Sequence, residues 1–180
     1  METRGLLSAA FLDRDGVLNV DRGFVSKSRD FEWIAGAQKA VRYLNDAGYL
    51  TVIVTNQSGI ARGYHTESEF QALHSWIDER LSISGAHIDA VYFCPHLPDA
   101  VLPKYRSNCE CRKPRPGMIL RAIREFDIDP SSSFLIGDKD SDCEAAAAAA
   151  VACHLFTGSD LFDFVRGIVA TASTGPIYPA

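Results

Sequence analysis

The 180-residue sequence has no apolar run approaching the roughly 20 residues that span a bilayer. It has one early arginine but lacks the basic, apolar and small-residue order of a secretory signal. A cytoplasmic protein with no membrane partner is expected. An excess of positive charge is missing as well. The net charge of −5 runs against the basic surface that general nucleic-acid binding uses, so no nucleic-acid partner is expected. The cysteines do not come in a disulfide-framework number. There are five, an odd count without a secretory signal, which argues against a stapled scaffold. Cys143 and Cys153 stand in apolar or alanine-rich surroundings and are expected as small core residues.

What is present is a chain with 47% hydrophobic and 23% charged residues, enough for one domain with a real core. Residues 1–170 are expected to form that domain, with 171–180 as a frayed tail. Short apolar runs alternate with helix-period segments. Strands are predicted at Ala9–Leu12, Leu50–Val54, Ile88–Phe93, Ser133–Ile136 and Val151–Phe156. Helices are predicted at Ala37–Asp46, Thr66–Leu81, Gly117–Phe126, Asp140–Ala150 and Ser159–Val169. Thr66 and Glu69 form a capping box at the start of the second. The alternation predicts an α/β fold: a doubly wound, mostly parallel sheet, whose ligands bind beyond the C-terminal strand ends. Only one helix lies between the first two strands, so no separate cap domain is expected. Residues 94–116 break the rhythm with five of the eight prolines and no period. A loop of that length needs an internal tie.

Four polar segments follow predicted strands or the loop. Asp13 and Asp15 leave the first strand two residues apart, and adjacent carboxylates push their pKa values apart, so one can stay ionised while the other donates a proton. Thr55-Asn56-Gln57-Ser58-Gly59 ends the second strand with hydroxyl and amide donors suited to phosphate oxygens. Arg112-Lys113 pairs a bidentate cation with a point charge, a combination that suits a dianion. Asp138 and Asp142 flank a helix start and offer the oxygen ligands that Mg²⁺ prefers. Taken alone, each is an ordinary turn, loop or cap. Their convergence on one sheet edge is the stronger signal. A fifth feature is Cys94-Pro95-His96, then twelve residues, then Cys109-Glu110-Cys111. Three thiolates and an imidazole form a closed tetrahedral set of the kind that structural Zn²⁺ takes. His65, His74, His87 and His154 show no partner pattern and are assigned to surface or core.

In order and placement the four segments resemble the signature motifs of the haloacid dehalogenase superfamily. The stretches Phe-Leu-Asp-Arg-Asp-Gly, Thr-Asn-Gln-Ser-Gly-Ile-Ala-Arg-Gly, Cys-Pro-His and Cys-Glu-Cys-Arg-Lys-Pro resemble the D-glycero-D-manno-heptose 1,7-bisphosphate 7-phosphatases. Those enzymes serve lipopolysaccharide biosynthesis. The resemblance implies a phosphatase with Asp13 as nucleophile, Asp15 as general acid and base, Thr55 on the transferring phosphoryl group and Lys113 stabilising it. It implies Mg²⁺ on Asp13, Asp15 and Asp138 with Asp142 in support, and structural Zn²⁺ on Cys94, His96, Cys109 and Cys111. It also places Asp21, Arg22, Gly23, Phe24, Asn56, Gln57, Ser58 and Arg112 at the substrate rim. A monomer acting on a small phosphorylated sugar is expected. Histidinol-phosphate phosphatases share the zinc loop and are the runner-up, and a non-catalytic zinc-ordered binding module is the reading from another class.

Overall fold

The computed structural model describes residues 6–173. Five strands form one parallel sheet: β1 (Ala9–Leu12), β2 (Leu50–Asn56), β3 (Ala90–Cys94), β4 (Phe134–Gly137) and β5 (Ala152–Leu155). Their order is β3-β2-β1-β4-β5. The chain therefore leaves the central β1 to one side and later returns to its other side. This reversal opens a crevice at the C-terminal end of β1.

Residues of β1 are fully buried, and their alternation feeds two cores. Ala10 and Leu12 pack with α1 (Ala37–Asp46), α3 (Glu67–Ile83) and α6 (Leu161–Ser173) through Val41, Leu44, Ile77 and Val165. Ala9 and Phe11 pack on the opposite face with α4 (Gly117–Phe126) and α5 (Asp140–Ala148) through Ile119, Ala122 and Ala145. A short helix, α2 (Ser58–Ala61), follows β2 directly. Thr66 and Glu69 make the capping box that opens α3.

Residues 94–116 are not structureless. A 3-10 turn at Pro103–Tyr105 and a bridge between Leu97 and Arg106 fold the segment. Leu97, Ala100 and Tyr105 bury themselves against Ile60, Ala61 and Phe70 in a third small cluster.

Two expectations need correction. Cys143 and Cys153 are not independent core thiols. They form a disulfide joining α5 to β5, because the edge strand returns alongside the helix that precedes it. Both residues are half-buried. The last helix runs on to Ser173, so Thr171 to Ser173 are helical, not tail; residues 174–180 lie outside the described set. Among the described residues no helix is long and apolar enough to cross a membrane.

Candidate active site

The ends of β1, β2 and β4 bring the predicted acids and donors together. Asp13 continues β1 by one residue, its N–H bonded to Ile136 O at 2.9 Å, and its side chain is buried. Asp13 Oδ1 lies 3.0 Å from Lys113 Nζ and accepts from Arg14 N at 2.8 Å. Burial pushes the Asp13 carboxyl up to about 6, against the pull of Lys113 and with the repulsion of Asp142.

Lys113 is 4% exposed. Its ammonium also meets Asp142 Oδ1 at 2.6 Å and donates to Val54 O at 2.8 Å. Burial alone would depress its pKa, but Asp13 and Asp142 outweigh that and the net shift is upward. The backbone of Lys113 is fixed separately. Asn56 Nδ2 donates to Lys113 O, and Lys113 N donates to Asn56 Oδ1, each at 3.1 Å. Asn56, expected at the rim, thus also clamps the cation's backbone.

Asp142 does more than support. One carboxylate oxygen holds Lys113, while the other accepts from the N–H groups of Asp138 and Lys139 at 3.1 and 3.0 Å, capping α5. Asp138 follows β4, and burial raises its carboxyl; its Oδ1 is buried with no hydrogen-bond partner. Gly16, at φ +91°, passes so close to Asp138 that a Cβ would overlap its carboxylate. The turn after Asp15 can therefore only be glycine.

Carboxylate oxygens of Asp13, Asp138 and Asp142 lie within 4.8 Å of one another. This all-oxygen set, with an unpartnered buried oxygen on Asp138, fits a hard divalent cation. Asp15 is not in that group. Its carboxylate accepts from Arg14, Asn19 and Gln57 instead. Thr55 is buried beneath, its hydroxyl accepting from Gln57 Nε2 at 3.0 Å.

A cavity of about 520 Å³ opens over these residues. Asp21, Gly23, Phe24, Asn56, Gln57, Ser58 and Arg112 line it. Arg22 does not. Gly23 and Phe24 both take positive φ, and Arg22 is left exposed and paired with Glu32. Lys139 and Ser141 also line the cavity and were missed, although Lys139 stands directly after Asp138 in the sequence. Lys139 reaches across to Asp21 Oδ2 at 3.1 Å.

The sulfur atoms of Cys94, Cys109 and Cys111 lie 3.1–3.4 Å apart, and His96 Nδ1 lies 3.7 and 3.4 Å from Cys94 and Cys111. A tetrahedral zinc site with sulfur at about 2.3 Å has ligands roughly 3.7 Å apart, so the donor set fits that ion. The hydrogen bond shared by Cys111 and Cys94 draws the Cys111 thiol down to about 5 and pushes Cys94 up, an uneven sharing of protons among crowded thiols. Arg115 staples the loop through the carbonyls of Asn108 and Cys109. Gly117 packs where any Cβ would strike the Glu110 carbonyl.

Comparison with known proteins gives a consistent result. A HAD-hydrolase-like family profile matches residues 110–159. The D-glycero-beta-D-manno-heptose-1,7-bisphosphate 7-phosphatase of Photorhabdus laumondii is 48% identical over 149 residues, 83% of this chain and 79% of that one. Its counterpart in Rhodopseudomonas palustris is 47% identical over 161 residues, 89% of each chain. The crystal structure of D,D-heptose 1,7-bisphosphate phosphatase from B. bronchiseptica, complexed with magnesium and phosphate, superposes with a TM-score of 0.77 at 31% identity, covering 92% of this chain and 99% of that one.

Proposed function

The chain belongs to the D-glycero-β-D-manno-heptose-1,7-bisphosphate 7-phosphatase family of HAD-type hydrolases, and from that premise we propose that it removes the 7-phosphate of D-glycero-D-manno-heptose 1,7-bisphosphate through an aspartyl-phosphate on Asp13. The observation that carries this reading is the buried Asp13 carboxylate, 3.0 Å from the Lys113 ammonium at the floor of the cavity. An anionic nucleophile facing a phosphate dianion needs adjacent positive charge, and Lys113 supplies it.

Asp13 Oδ attacks phosphorus as the bond to the sugar oxygen breaks. Asp15 gives its proton to that departing oxygen. Asp15, now ionised, takes a proton from water, which attacks the aspartyl-phosphate; phosphate leaves and Asp13 is restored. Arg112 and Lys139 line the wall, where they would meet the second phosphate, Lys139 by exchanging its pairing with Asp21 for the ligand, and Thr55 would serve the transferring one. Asp13, Asp138 and Asp142 would hold Mg²⁺, which would supply charge compensation for phosphate oxygens. Cys94, His96, Cys109 and Cys111 would hold Zn²⁺ as a structural tie. A soluble sugar bisphosphate suits a monomer working in the cytoplasm.

The test is phosphate release from each anomer of the heptose bisphosphate and from histidinol phosphate. At least tenfold higher kcat/KM on one heptose anomer is expected; preference for histidinol phosphate would overturn the substrate assignment. Brief EDTA treatment should stop turnover, and added Mg²⁺ should restore it. One zinc per chain should survive that treatment, because thiolates hold zinc far better than carboxylates hold Mg²⁺. Purified protein with far less than one zinc per chain would remove the metal from the loop.

Zinc matters because Cys111 precedes Arg112 and Lys113. Cys109→Ser should release zinc and expose residues 97–108 to protease while far-UV circular dichroism stays native, since the Cys₃His set touches only the margin of one core, where Cys94 ends β3, and the other core does not include it. Asn56 still holds the Lys113 backbone, so kcat/KM should fall about tenfold, the low end for loss of a supporting interaction. An unchanged kcat/KM in the zinc-free, folded variant would mean that Asn56 and the two acids suffice to place Lys113.

A further inference from the structure

Arg14 is the residue between the two acids, and the chemistry above gives it no part. It is nevertheless completely buried, the largest side chain to be so among the described residues. A buried guanidinium is costly unless paired. Among the described residues its one ion-pair partner is Asp15. Arg14 Nη2 lies 2.9 and 3.1 Å from the two Asp15 oxygens and donates its other hydrogen to Val25 O at 2.7 Å. The guanidinium rests 5.7 Å from the Phe70 ring centroid.

The rest of the cradle follows. Asn19 Nδ2 donates to Asp15 Oδ1 at 3.0 Å, and Gln57 Nε2 donates to Asp15 Oδ2 at 3.1 Å. A carboxylate has about four lone-pair sites. Arg14 reaches both oxygens and Asn19 and Gln57 add one contact each, four in all, so the carboxylate is held in one orientation at the wall of the cavity.

The geometry points to Arg14 as a positioning residue for Asp15: its buried Nη2, with Asn19 and Gln57, fixes the one orientation from which Asp15 passes its proton to the leaving oxygen. This rests on the phosphatase reading. It makes a prediction that a packing role for Arg14 would not. A protonated departure matters for an alkoxide and hardly at all for p-nitrophenolate, which leaves unaided. General-acid contributions are ~10²–10⁴-fold, and misplacing a group by about 1 Å can cost ~10²-fold.

The experiment is rapid-quench, single-turnover release of leaving group with enzyme in excess. An alkyl phosphate ester, the heptose bisphosphate, is compared with p-nitrophenyl phosphate. Arg14→Met should slow alcohol release about 100-fold and p-nitrophenolate release less than threefold. Asn19→Leu removes one donor without removing a buried charge or touching the cavity wall, and should show the same selectivity at about tenfold if Arg14→Met fails to fold. Asp15→Asn is the reference for complete loss of the acid. Equal slowing of both substrates, or of neither, in a folded variant would overturn the role of Arg14 while leaving the phosphatase reading intact. Absence of turnover of either substrate by the unaltered chain would instead remove that reading.

Discussion

Asp13→Asn is expected to lower kcat by at least three orders of magnitude while making the protein more stable at alkaline pH. The amide cannot form the acyl-phosphate, and each ~1.4 kcal/mol of lost transition-state stabilisation is tenfold in rate. The side chain keeps an oxygen to accept from Lys113, so the fold and phosphate binding should survive. The stability change follows from burial. Asp13 has its carboxyl raised from 3.8 to about 6 in the folded chain. The native state therefore binds more protons than the unfolded one between those values, and stability falls as pH rises through that window. Above about pH 6 the ionised carboxylate costs on the order of 1–3 kcal/mol, which the amide would not. Thermal melts without added Mg²⁺ should show the variant ahead at pH 8 and level with the parent near pH 4. Retention of a tenth of the parent's kcat would sink the nucleophile assignment, and a variant less stable at pH 8 would sink the burial argument.

The parts of this site that the sequence makes legible are those fixed by one strand end each. Asp13, Thr55 and Asp138 are read from apolar runs that stop at polar residues, and the parallel sheet brings those stops to one edge regardless of loop detail. The Cys₃His set is legible because a closed tetrahedral metal site calls for particular residue types, and the fold gathers those four donors. Legibility ends where a side chain's direction depends on a partner distant in sequence. Gln57 lines the cavity wall, but what holds its amide there is Asp15, 42 residues earlier, which accepts from it. Arg22 looks like a substrate cation, but positive φ at the two residues after it leaves it with Glu32. The Cys143–Cys153 bond needs β5 to lie against α5, which neither local surroundings nor cysteine parity reveals. Asp142 reads as a second metal acid, whereas its firmest contact is the Lys113 ammonium.

That contact underlies the second large effect. Lys113→Met removes the one cation that, among the described residues, sits between two buried carboxylates, and should both abolish useful turnover and destabilise the fold. Asp13 and Asp142 would face one another with no ammonium between them, in a place where each is less than a tenth exposed. Breaking a buried ion pair from one side costs roughly 3–5 kcal/mol. Part of that would be recovered by protonating Asp13, whose carboxyl burial has already raised. A protonated Asp13 is no nucleophile, so kcat at pH 7 should fall at least 100-fold even with saturating Mg²⁺. Adding Asp142→Asn to the methionine variant tests the cause, because the two sites share one network and their effects should not add. The double variant should regain part of the lost stability, since one unpaired charge is gone. It should not regain rate, since the phosphoryl group still lacks the ammonium. Melting temperatures and kcat for the two single variants and the double variant decide the matter. A methionine variant within tenfold of the parent's kcat would mean that Lys113 only fills space between the acids, and a strictly additive double variant would mean that the two carboxylates do not act through it.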